Sequence, residues 1–148
     1  MKGWTMEHID ALQAKNFKEV VAREYAFVRE ITFTIPFLTD GLNGKDGLIR
    51  GHFAAAKKVK GKITAILRAQ KPHGIKPITR PVKVTYTRYT SHPMDWDNAC
   101  ASFKHIGDAL QMAGILADDS PAVIAVFLPV QVKCKMKERR TEILIELI

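Results

Sequence analysis

The sequence predicts an α+β fold, a single domain in which helices pack on a mixed β-sheet, and three observations lead to it. Apolar and polar residues alternate through residues 31–37, 80–90 and the second half of 122–136, which marks strands, and the apolar run at 142–148 reads as a last one. Apolar residues recur at helical spacing through about 52–70 and 98–113, which marks two helices between them. A chain of 148 residues that is 47% hydrophobic can bury one core and is too short for two comfortable ones. The expected order is strand, helix, strand, helix, strand, strand.

Residues 5–13, TMEHIDALQ, suit a short helix with Thr5 as N-cap and Glu7 and Asp10 near its positive end. In residues 17–28, Val20, Val21, Tyr25 and Phe27 suit helix and strand alike, and the strand is favoured toward the end. ITFTIPF then sets Ile31, Phe33, Ile35 and Phe37 against Thr32, Thr34 and Pro36, a strand with one buried face whose proline puts its end at a sheet edge. LTDGLNGKDGLIRGHF reads as a loop whose four glycines allow close backbone approach to a ligand. The helix from about His52 carries Phe53, Ala56, Val59, Ile63, Ile66 and Leu67 on its apolar side and Lys57, Lys58, Lys60, Lys62 and Arg68 around them. KPHGIKP turns the chain into the strand RPVKVTYTRYT. Beyond the second helix, Val130, Val132, Cys134 and Met136 alternate with Gln131, Lys133 and Lys135. KERRT reads as a turn, and EILIELI as a last strand pairing back in a hairpin.

Charge is distributed unevenly. The formal net charge is +8, yet five of the eight aspartates lie between Asp95 and Asp119, while residues 47–94 hold eleven Lys or Arg and no acid. An acidic island in a basic surround suggests a carboxylate metal site approached by a polyanion, because net basicity draws nucleic acid that clustered carboxylates alone would repel. The start has no apolar run of signal-peptide length and no later run approaches a membrane span, so the expected address is cytoplasmic. Cys100 and Cys134 match no zinc or redox spacing and read as bystander thiols.

Asp95 and Asp97 are two apart, which in extended backbone sets their carboxylates on one side, roughly 7 Å apart, where they can share divalent cations. The plainer reading is helix capping by Asp97 or Asn98, which accounts for one aspartate and not two. Ala99, Phe103, Ile106, Leu110 and Ala113 mark one continuous helix ended by Gly114 as C-cap, with Asp97, Lys104 and Asp108 near a common face. That face reads equally as a solvated salt-bridge ladder. Asp118 and Asp119 follow at the helix's negative end, where local stability does not favour them.

DWDN, a lysine, DALQMAGILADD and a closing strand pair together resemble the RusA-type Holliday junction resolvases, over about residues 81–148 and more loosely through ITFTIPF and its loop. The resemblance implies a RusA-like domain at 31–148 behind an N-terminal extension at 1–30. It further implies a homodimeric endodeoxyribonuclease, dependent on Mg²⁺ or on Mn²⁺ in its place, that makes paired symmetric nicks in four-way DNA junctions. Asp95, Asp97 and Asp119 would be its acidic residues, with Asp118 the other candidate ligand of the pair, and Lys104 its basic one. In that family the lysine follows DxDN by about one helical turn, whereas Lys104 is seven residues past Asp97. Hard carboxylate oxygens would hold the metal, Lys104 would meet charge developing on the phosphoryl oxygens, and Lys45, Arg50, Lys57 and Lys58 would grip the junction arms by their phosphates. A straight helix over 98–113 would be about 24 Å long and keep Asp119 from Asp97 of its own chain, so sites shared across a two-fold dimer are expected. Two other classes stand beside this one. They are a non-catalytic basic DNA-binding protein, in which the aspartates only cap and balance charge, and a metal-dependent phosphohydrolase of small nucleotides, which would not need the acid-free basic run.

Overall fold

The computed structural model describes residues 29–42, 44, 47 and 53–148. The helix expected at 5–13 and the segment at 17–28, and with them most of the expected N-terminal extension, lie outside the described residues. Four strands are formed, β1 (Glu30–Ile35), β2 (Val82–Thr90), β3 (Ile124–Lys133) and β4 (Arg140–Leu147). They make one sheet in the order β1-β4-β2-β3, antiparallel at β1/β4 and β4/β2 and parallel at β2/β3. A parallel pair needs a crossover, and two helices supply it, α2 (Trp96–Ala101) and α3 (Lys104–Met112), with α1 (Phe53–Gln70) preceding β2. The result is the expected small α+β domain with a mixed sheet.

One face of the sheet carries the core. Phe33 and Ile35 of β1, Val84 and Tyr86 of β2 and Ile143 and Ile145 of β4 lie against Ile63 and Leu67 of α1 and Ile106 and Leu110 of α3. Alternation explains β2 and β4, whose every second residue is buried. The side-chain amide of Gln70, at the end of α1, pairs with β1 as a strand would, accepting from Thr34 N at 2.8 Å and donating to Thr34 O at 2.6 Å. That blunts the free edge of β1. Among the described residues no helix is long and apolar enough to cross a membrane.

Two expectations are corrected. The last two strands do not form a hairpin, because β4 inserts between β1 and β2 while β3 takes the outer edge. Burial explains the choice. The inward residues of β4 are shut off from water, whereas Val126, Leu128 and Val132 of β3 remain 45%, 44% and 38% exposed, and Pro129, lacking an N–H, suits an edge. The second correction concerns the helix expected over 98–113, which is divided into α2 and α3 at Ser102 and Phe103. There the Ser102 carbonyl accepts from Thr39 Oγ1, and the Ser102 hydroxyl donates to Ala99 O at 2.6 Å. With its proton so used, the Ser102 oxygen accepts from Arg88 Nη1 at 2.9 Å and pairs with Tyr86 Oη at 2.8 Å. Buried groups on β2 therefore hold the interruption from below. Gly114 does end α3 as expected, in the left-handed region at φ 71° that a glycine enters without strain.

Candidate functional site

The parallel crossover carries the chain from the end of β2 over one end of the sheet, and Asp95 and Asp97 lie there. Met94 is fixed first, its N–H donating to Gln131 Oε1 at 2.9 Å and its carbonyl accepting from Gln131 Nε2 at 2.7 Å. Asp95 is the N-cap residue of α2, and its side chain, in place of capping backbone, accepts from Asn98 Nδ2 at 2.6 Å. Asn98 Oδ1 in turn accepts from Leu42 N at 3.0 Å, which ties α2 to the glycine-rich loop. The approach is close enough to require Gly41, since a β-carbon there would stand 2.8 Å from Asn98 Oδ1. Capping by Asp97 or Asn98, the plainer reading of the sequence, is not what these residues do. Asp97 lies in the first turn of α2 with its side chain exposed, and Asp95 is exposed beside it.

Lys104 begins α3, so the expected common helical face with Asp97 is broken by the interruption at Ser102. Its partners are instead Asp108, at 2.8 Å one turn on, and Asp119, at 3.4 Å. Asp108 also receives Lys60 of α1 at 2.7 Å, which joins the two helices. The loop after α3 is held by backbone hydrogen bonds of Ile78 with Ile115 and Ala117 and returns Asp119 to the first turn of that helix. The straight helix on which the expected separation of Asp119 from Asp97 rests is absent, the chain being divided at Ser102 and Phe103. Asp118 points elsewhere, accepting from Gln111 Nε2 at 3.1 Å and from the Asp119 N–H at 2.9 Å. Of the two, Asp119 is the one placed beside Lys104.

The charges respond to this arrangement. The hydrogen bond to Asp108 holds the Lys104 ammonium above its ordinary pKa, with Asp119 adding to the effect. Burial pushes the Asp108 carboxyl up, but the hydrogen bonds and charges of Lys104 and Lys60 together outweigh it and hold the group below its ordinary range. Hydrogen bonding from Ser120 lowers Asp118 in the same way. A carboxyl lowered on folding contributes stability above its unfolded pKa, here taken at the ordinary value of 3.8, and loses it as pH falls through the folded value. Asp108→Asn is thus expected to cost about 1 kcal/mol at neutral pH. It should also flatten the acid limb of stability below about pH 5, as read by urea unfolding across pH.

Of the residues expected to grip DNA, Lys57 and Lys58 are exposed on α1, while Lys45 and Arg50 lie outside the described residues. The candidate acids fall into two places, Asp95 with Asp97 at α2 and Asp118 with Asp119 after α3. Among the described residues no three Asp, Glu, His or Cys side chains are grouped to hold a metal ion. Three features of the site escaped the sequence reading: Asn98 as the tie to the glycine-rich loop, Lys60 as the second partner of Asp108, and Arg88 beneath the helix interruption. The spacing of DWDN could have suggested that Asn98 meets Asp95, because a residue three past an N-cap position faces it, but its tie to Leu42, like Lys60 and Arg88, acts across the fold and leaves no local pattern. The chain matches no protein-family model and no curated protein sequence.

Proposed function

We propose that this protein is a structure-selective endodeoxyribonuclease that resolves four-way DNA junctions by paired symmetric nicks, acting as a homodimer and depending on Mg²⁺. The observation that carries the reading is the pairing of Lys104 with Asp119, within the acid-rich stretch 95–119 that also carries the exposed Asp95 and Asp97, in a chain otherwise strongly basic. Exposed Lys57 and Lys58 offer sequence-independent contacts to phosphates, which suits a substrate defined by shape. Lys104 is the cation available to a phosphoryl oxygen once Asp119 engages another partner. The acids of the two places would come together between two copies, Asp95 and Asp97 of one with Asp119 of the other.

The test is cleavage of a synthetic four-way junction against linear duplex of the same sequence, with Mg²⁺ or with EDTA. Paired nicks in the junction alone, lost in EDTA, are the expected result. A second reading, a non-catalytic DNA-binding protein, is favoured by the neutralisation of Asp108 by two lysines, which is what a purely structural acid would show. Tight junction binding without any cut in Mg²⁺ or Mn²⁺ would establish it instead.

A further inference from the structure

Trp96 stands between the two exposed acids with 57% of its surface open to water. An indole is a large apolar group, and leaving one exposed forfeits burial that a core position would supply. Nor is it on a loose segment. The residue two before it is clamped on both its N–H and its carbonyl by Gln131, and the residues flanking it in DWDN are tied by the Asp95–Asn98 hydrogen bond and, through Asn98, to Leu42. An aromatic ring presented on a fixed platform loses little freedom when it meets a ligand, which is the condition for a contact residue.

The neighbouring carboxylates narrow what that ligand can be. Asp95 and Asp97 disfavour direct approach of a phosphate to the ring, while the neutral π-face of a nucleobase carries no such penalty. In continuous duplex both faces of every base are already stacked, and opening a step to admit a side chain is costly. At a branch point the stack is interrupted and a base face is available. We propose that Trp96 stacks on an unstacked nucleobase at the branch point, and so makes Trp96 a residue that selects junction over duplex. This rests on the four-way-junction reading above and names the part of the substrate that the site would recognise.

Fluorescence tests it, because the chain has two tryptophans and Trp4→Phe leaves Trp96 as the sole reporter. Titration of the full chain in EDTA with a synthetic junction is expected to quench Trp96 emission, and linear duplex of the same sequence is expected to change it far less. Trp96→Ala should weaken junction binding about tenfold, leave duplex binding unchanged, and be largely rescued by Trp96→Phe. A junction that saturates the protein and is cut normally in Mg²⁺ while Trp96 emission stays constant would overturn the inference and leave the nuclease reading standing. Equal weakening of junction and duplex by Trp96→Ala would overturn it too, as would emission that changes with protein concentration before any DNA is added, which would place the ring against a second copy. A wild-type chain that neither binds nor cuts the junction removes both.

Discussion

Asp97→Asn is expected to abolish junction cleavage and leave junction binding as tight as before or tighter. The substitution is nearly isosteric, and the side chain is exposed in the first turn of α2. A charge in that position favours a helix by no more than about 1 kcal/mol, too little to unfold the domain. The loss in rate, on the order of a hundredfold to a thousandfold if an acid that would hold the charge-stabilising cation is removed, therefore reports chemistry. The sign on binding follows from charge alone, since removing a carboxylate from the face that meets a polyanion removes repulsion. Gel-shift titration and single-turnover cleavage on the same junction would check both. Unchanged cleavage would take Asp97 out of the site.

The same variant decides whether sites are shared. In a dimer of one Asp97→Asn and one Asp119→Asn subunit, shared sites leave one site with both acids intact, so one strand should be nicked. Sites confined to single chains leave none intact, so no cleavage should return. The structure makes this a sharper question than the sequence did. A straight helix would have kept Asp119 distant, but the helix is divided and Asp119 lies beside Lys104, so the mixed dimer decides between the two arrangements.

How far the fold could be read in advance depended on whether its cause was local. β2 and β4 alternate in sequence because every second side chain is buried, and α1 shows its apolar stripe because one side packs on α3 and the sheet. The divided helix had no such mark. Phe103, Ile106 and Leu110 keep helical spacing across the break, and the groups that impose it, Thr39, Tyr86 and Arg88, come from distant parts of the chain. Strand order was likewise beyond local pattern, although Pro129 carried a usable hint that β3 belonged at an edge. At the site, the pairing of Lys104 with Asp108 followed from a spacing of four, whereas its contact with Asp119 depended on a loop whose return no spacing encodes.

Tyr86→Ala is expected to lower the unfolding free energy by about 4 kcal/mol, the largest effect of a single substitution in the core. Tyr86 is fully buried, and its ring meets Phe103 at 5.3 Å and Phe127 at 6.3 Å between centroids, so truncation empties the space between β2, β3 and the helix interruption. Tyr86→Phe keeps the ring and removes only the hydroxyl, at a cost of about 1 kcal/mol. That hydroxyl bonds Ser102 Oγ and accepts from Arg88 Nη1 at 3.1 Å, and Arg88 is itself 3% exposed, donating to Thr39 O at 2.8 Å. Urea unfolding of the two variants separates packing from hydrogen bonding. A cost for the Phe variant approaching that of Ala would mean that the buried polar group is what holds the interruption. Loss of the hydroxyl would then reach the site as well, because Ser102 separates the helix bearing Asp97 from the one bearing Lys104. Cleavage by Tyr86→Phe measured at a temperature where it remains folded would show that link as a fall in rate without a fall in junction binding, whereas unchanged cleavage would confine Tyr86 to stability.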